Sequence, residues 1–188
     1  MNALVQASAR PVPALPAGPA PEQGQYLIFS LGGEAFAIGI LAIKEIIEYG
    51  AITEVPMMPA AVRGVINLRG AVVPVIDLSA RFGKPLTEVG RRTCIVIVEL
   101  AQAEGRQDVG LIVDAVTEVI DIPAGEIEPA PSFGARIRTE FIRGMARQQS
   151  RFVIILDIDR VLSLDEISSA ELHAPAAQNV EVAALDAV

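Results

Sequence analysis

Between Gln25 and Ser163 the chain alternates short apolar runs with turn residues. "QYLIFSLGGEAFAIGI" (residues 25–40) is two such runs on either side of Gly32-Gly33, a pattern that predicts a β-hairpin. "AVVPVIDL", "TCIVIVEL", "DVGLIVDAV", "TEVIDI" and "RFVIILDI" are further β-branched runs of strand length. Turn residues separate them at short, even spacing, which suits an all-β sandwich or barrel. Pro74 inside a strand run predicts an edge strand or a bulge. "SARFG" and "DRVLS" read as single helical turns that close strands.

The pattern repeats. Moved by 80 positions, "RGVINLRGAVVPVIDL" (63–78) overlays "RGMARQQSRFVIILDI" (143–158) without a gap, with Arg63, Gly64, Val73 and Asp77 on identical residues. Moved by 73, "AIKEIIE" (42–48) overlays "AVTEVID" (115–121). Repeats of this kind mark duplicated structural units. Two copies of about five strands predict two similar small barrels related by a pseudo-twofold.

The duplication sorts residues by role. Arg63/Arg143, Gly64/Gly144 and Asp77/Asp157 occur in both copies and so serve the fold. A glycine entering a strand suits a bulge, and an aspartate closing one suits the N-cap of a short helix. Asn67, Arg69 and Gly70 meet Arg147, Gln149 and Ser150, so "NLRG" belongs to the first copy alone. Arg69 beside a flexible glycine could bind a carboxylate of a partner, or be an ordinary turn arginine. Glu45 is repeated as Glu118, so the comparison does not single it out.

Composition narrows the class. Apolar residues make up 52% of the 188 residues and aromatics 4%, so the core is built from Val, Ile, Leu and Ala. The longest apolar stretch, "AFAIGILAI", is far short of the roughly 18–20 residues of a membrane span. "MNALVQASARPVPALPAGPA" lacks the basic start and apolar run of a secretory signal, and the single Cys94 excludes an internal disulfide. A soluble cytoplasmic protein is expected. Residues 1–24, with five prolines, are expected to be an extended tail, and 166–188 a second, acidic one. The net charge of −8 sits partly in the C-terminal stretch from Leu164, which has five acidic and no basic residues. Residues 25–163 carry 17 acidic and 14 basic residues, without the basic excess of a nucleic-acid binder. The arginines at 136, 138, 143, 147 and 151 lie beside Glu140, Asp157 and Asp159 and read as a solvated mixed face.

Catalytic chemistry finds little support. An Asp77/Asp157 dyad would need each aspartate in an Asp-Thr/Ser-Gly turn, and the contexts are "DLSA" and "DIDR". Cys94 lies in an apolar run and the only histidine, His173, in the acidic tail, so no Cys–His pair and no His/Cys metal set forms. No phosphate-binding glycine loop or calcium-loop spacing is present. The chain reads as a binding module. A small duplicated barrel enzyme using Asp77 and Asp157 is the alternative from another class.

One family accounts for these segments together. "QYLIFSLGGEAFAIGILAIKEII", "VPMMPAAVRGVINLRGAVVPVIDLSARFG", "VGLIVDAVTEVIDI", "EIEPAPSF" and "VIILDIDRVLS", in this order, resemble CheW, the bacterial chemotaxis coupling family. The likeness covers about residues 25–165, with approximate halves 25–86 and 87–165 between which strands may cross. It implies two five-stranded SH3-like β-barrels, no catalysis, no metal and no cofactor. It implies an adaptor that docks on the regulatory domain of a CheA-type histidine kinase and on the cytoplasmic tip of methyl-accepting chemotaxis receptors, and that reaches membrane receptor arrays through these partners without inserting in the bilayer. A coupling domain of another two-component pathway is the alternative within binding proteins. Receptor-contact positions that match are Ile43, Glu45, Gly64, Asn67, Arg69 and Val119. Arg69 would pair with a receptor carboxylate and Glu45 with a polar or basic group. The kinase-facing positions are Gly110, Pro129, Pro131 and Phe133. Phe133 could anchor that contact or simply cap a barrel end.

Overall fold

The computed structural model describes residues 23–102, 105–130 and 137–163. In chain order the strands are β1 (Gln23–Leu31), β2 (Glu34–Gly39), β3 (Ile43–Glu48), β4 (Val62–Leu68), β5 (Ala71–Asp77), β6 (Cys94–Gln102), β7 (Gly105–Val113), β8 (Ala115–Pro123), β9 (Ile127–Glu128), β10 (Ile142–Gln148) and β11 (Arg151–Leu156). Two four-residue helices, α1 (Leu78–Arg81) and α2 (Ile158–Val161), follow β5 and β11.

These strands build two SH3-like barrels with one plan. One sheet runs β8-β1-β2-β11-β10, with the two-residue β9 added at its end; the other runs β3-β6-β7-β5-β4. Replacing β8, β1, β2, β11 and β10 by β3, β6, β7, β5 and β4 turns one order into the other. Register agrees residue by residue. Ile28 pairs with Ala37 and Glu118, and Ile97 pairs with Gly110 and Glu45. Each barrel also has one parallel pair, Ile155↔Ala37 in the first and Val75↔Gly110 in the second.

The linear halves 25–86 and 87–165 are therefore not the barrels. The chain makes β1 and β2, leaves to build the whole of the second barrel from β3 to β7, and returns with β8–β11 to close the first. Strand pairing reaches Gln23, two residues ahead of the expected start of the ordered part. Residues 1–22 and 164–188, which hold most of the N-terminal tail and all of the acidic one, lie outside the described residues.

Pro74 does not mark an edge, because β5 runs between β7 and β4. Opposite it, Val65 spends both backbone groups on Thr53, with Thr53 N donating to Val65 O at 2.9 Å and Val65 N to Thr53 O at 2.8 Å. The parallel ladder to β7 begins only at Val75, so no neighbour needs the N–H that proline lacks.

Alternation along the strands sends side chains into two kinds of core. Tyr26, Ile28, Ala37, Ile122, Ala146, Val153 and Ile155 fill the first barrel, while Val73, Val75, Ile95, Ile97 and Ile112 fill the second. The opposite faces of both sheets meet in the largest cluster, which includes Leu27, Phe29, Phe36 and Ile38 from one barrel and Ile76, Val96, Val98 and Leu111 from the other. Phe29, Phe36, Phe82 and Phe141 cross it as a chain of ring contacts with centroids 5.7–6.1 Å apart. The barrels thus share a core and act as one packed body. Arg81 reinforces this: it is buried on α1, donates from Nε to the Val161 carbonyl on α2 at 2.7 Å, and lies 4.6 Å from the Phe141 ring centroid.

Candidate partner-binding surface

The β4–β5 hairpin turns through Arg69 (φ 53°) and Gly70 (φ 90°), between the paired Leu68 and Ala71. Two successive positive φ values define a type I′ turn, the form that matches strand twist. The Asn67 side chain accepts from Gly70 N at 2.8 Å and fixes the turn. This aims Arg69 across the barrel mouth at β3, where its Nη2 donates to Glu45 Oε2 at 2.8 Å. The guanidinium is 79% exposed and keeps donors free for a partner, whereas Glu45 is largely covered. Arg69 and Glu45, expected to bind separate partner groups, bind each other here.

Charged groups continue from this pair along the same mouth. Lys44 Nζ lies 3.1 Å from Glu99 and 2.9 Å from Asp108, and Arg106 lies 2.7 Å from Glu99. Hydrogen bonds to Asp108 and Glu99 raise the Lys44 pKa, and the bond from Lys44 lowers that of Glu99. These residues come from β3, β6 and β7, and only the strand register brings them together.

The remaining expected receptor positions divide. Ile43 opens β3 opposite Val98 and packs partly buried on the shared core. Val119 is half exposed on β8, and its equivalent on β3, Ile46, is exposed as well. β8 and β3 are edge strands of different sheets, so each barrel offers one outward apolar side chain beside its glutamate. Gly64 is buried in β4. A Cβ there would stand 2.2 Å from Thr53 O, with φ at 137°, so glycine serves the bulge at which Thr53 crosses β4. Gly144 holds the matching bulge in β10, where a Cβ would meet Ile127 Cγ2 at 2.4 Å.

Among the kinase-facing positions, Gly110 is buried in β7, and a Cβ would lie 2.8 Å from Ile95 Cγ2. It shapes the barrel interior. Pro129 is exposed just after β9. Pro131 and Phe133 lie outside the described residues.

The two repeated aspartates are spoken for. Asp77 is fully buried and accepts from Ser79 N, Ala80 N, Thr87 N, Thr87 Oγ1 and Arg63 Nη1 at 2.9–3.2 Å. Asp157 caps α2 by accepting from Arg160 N at 3.2 Å. Both are helix N-caps, as their place at strand ends predicts. Cys94 is partly buried, and that burial pushes its thiol pKa up, away from a reactive thiolate. Among the described residues no group of three or more His, Cys, Asp or Glu side chains is placed to hold a metal ion, and no helix is long and apolar enough to cross a membrane.

The family model for the CheW-like domain matches residues 25–166. The chain belongs to the CheW-like family. It is 35% identical over 144 residues to the chemotaxis protein CheW of Klebsiella aerogenes, covering 77% of this chain and 84% of that protein. It is 35% identical over 146 residues to CheW of Rhizobium meliloti, covering 78% and 92%. The crystal structure of the scaffolding protein TtCheW from Thermoanaerobacter tengcongensis superposes with a TM-score of 0.69 at 35% identity, covering 79% of this chain and 94% of that one. A CheW-like fold therefore spans nearly all of the described residues. Its two-barrel plan sets the "NLRG" turn and the β3 edge side by side.

Proposed function

We propose that this chain is a non-enzymatic chemotaxis adaptor. It links the cytoplasmic tip of methyl-accepting chemotaxis receptors to the regulatory domain of a CheA-type histidine kinase, and is recruited through them to receptor arrays at the membrane. Membership of the CheW-like family supports the class. The observation that carries the site is the preformed Arg69–Glu45 pair at the rim of the second barrel. It presents a guanidinium held in one orientation to a partner carboxylate. Asn67 positions that turn. In this reading Ile43 and Val119 contribute apolar surface, and Gly64 and Gly110 act only through the shape of the strands they occupy. Pro129, Pro131 and Phe133 form the kinase-facing segment. The working unit is residues 25–165, flanked by the two tails. The saturated hydrogen bonding of Asp77 leaves no free carboxylate there for acid–base chemistry, which disfavours the barrel-enzyme alternative.

The decisive experiment mixes the purified chain with a receptor signalling fragment and a CheA-type kinase from the same cell and follows ATP-dependent autophosphorylation. Wild type is expected to raise phosphorylation only when receptor is present, and Arg69→Ala to fold normally yet lose the gain. Absence of both binding and stimulation with every cognate pair would refute the adaptor role.

A further inference from the structure

The chain that follows α1 folds back over the aspartate that caps it. Lys84 N donates to Ser79 O at 3.0 Å, and a little further on Thr87 donates to Asp77 from N at 2.9 Å and from Oγ1 at 3.0 Å. Thr87 is buried, and Asp77 is left with no exposed surface. The first barrel repeats the parts beneath this cover. Arg143, Asp157 and Asp159 stand where the second barrel has Arg63, Asp77 and Ser79. The strand registers set Gly24 and Leu41 in the places of Thr93 and Asp114. Among the described residues nothing covers this second copy of the site. It is an open groove of about 890 Å³, lined in part by Gly24, Leu41, Arg143, Asp157 and Asp159.

The groove has unused bonding capacity. Asp77 accepts from four residues, whereas Asp157 accepts from Arg160 alone and its side chain is 32% exposed. Arg63 pairs with Asp77, whereas Arg143 is exposed and has neither hydrogen bond nor ion pair among the described residues. Leu41 stands 98% exposed where the second barrel has the polar Asp114. The site therefore calls for an N–H or hydroxyl donor at Asp157, an anion at Arg143 and an apolar group at Leu41. The step of 10 residues from Asp77 to Thr87 leads, from Asp157, to Ile167, with Glu166 before it and Ser168 after it. The chain ahead of β1 also adjoins the groove, at Gly24. Residues 11–21, however, hold five prolines, which lack the N–H, and no Ser, Thr, Asp or Glu.

We infer that residues 164–170, which continue the chain from α2, dock in this groove of their own barrel, as Lys84–Thr87 cover the second. Ser168 takes the place of Thr87 and donates to Asp157 from its backbone and its hydroxyl. Ile167 covers Leu41, and Glu166 pairs with Arg143. Asp159 on the rim opposes the acids, so the serine donors and Ile167 carry the contact and the exposed ion pair only orients it. The segment starts beside the groove, because Ile158 of α2 lines it, and this tethering lets a short, weak contact stay formed. The inference does not depend on the adaptor reading.

Disulfide trapping in the full chain tests it, with Cys94→Ala removing the native thiol. Leu41→Cys combined with Ile167→Cys should oxidise to a linked monomer at a rate independent of protein concentration. That rate should exceed, by about tenfold or more, the rate for Leu41→Cys with Asn179→Cys, farther along the same tail. Ser168→Pro removes both donors and should slow the first reaction to the rate of the second, with the melting temperature of the barrels unchanged. Ser168→Thr, which supplies the side chain of Thr87, should keep it fast. Equal rates at 167 and 179, or indifference to Ser168→Pro, overturn the proposal. So do linked dimers, which would seat the tail on a second copy. A faster reaction of Leu41→Cys with Ala17→Cys overturns it as well, by giving the groove to the N-terminal segment.

Discussion

Arg69 donates to Glu45 at 2.8 Å, from a hairpin turn to the edge strand opposite, and among the described residues the equivalent Gln149 and Glu118 make no such bond. The duplicated fold thus carries one closed mouth and one open one. Because the pair is exposed, its contribution to stability is small, about 0–1 kcal/mol. We expect Arg69→Ala and Glu45→Ala to move the urea midpoint little, while both lower receptor affinity. In a double-mutant cycle on receptor binding the two effects should be strongly non-additive, because Glu45 acts by holding Arg69. Fully additive losses would show that each contacts the receptor independently.

Gly64 and Gly70 lie six residues apart and should respond differently to the same change. Gly64→Ala forces a methyl to 2.2 Å from the Thr53 carbonyl at a φ of 137°, and it should cost about 3 kcal/mol or more. Gly70→Ala meets no atom within 4 Å and carries only the strain of a positive φ, about 1 kcal/mol. Chemical denaturation of the two variants measures the difference. A partner-binding defect in Gly64→Ala should track its loss of fold.

Asp77 and Asp157 occupy equivalent positions with unequal burial. Asp77→Asn replaces a carboxylate that accepts five bonds by an amide that must point donors at Thr87 or Arg63, and should cost about 3–5 kcal/mol. Asp157→Ala removes one N-cap bond at a partly exposed site and should cost about 1 kcal/mol. Thermal melts of the two variants check the order. A fully stable Asp77→Asn would contradict the structural role.

The Lys44–Glu99–Asp108 network has a defined pH window. The folded-state pKa of Glu99 is lowered from 4.5, so its stabilisation is present above that value and is lost as pH falls below it. The folded-state pKa of Lys44 is raised from 10.5, so its stabilisation is complete below that value and disappears as pH rises beyond it. The urea midpoint of wild type should therefore exceed that of Lys44→Met across the neutral range, and the two should converge at both extremes. The gap should also shrink in high salt, since Lys44 is exposed and both carboxylates are partly so.

The repeat, read from residues alone, determined much of this molecule. The overlay of 63–78 on 143–158 anticipated two bulge glycines, two N-capping aspartates and two barrels of one plan, because local backbone demands recur wherever the same unit is built. Strand alternation likewise marked most of the buried residues, since the strand period decides which side chains can leave water. The tertiary structure alone decided which strands complete which barrel. The chain departs after β2 and returns at β8, and that exchange depends on pairing between residues far apart in sequence. It also decided that Arg69 and Glu45 face each other and that Lys44 lies between Glu99 and Asp108. Each is a relation across strands set by register, and a register is a property of paired chains that no single run of residues contains.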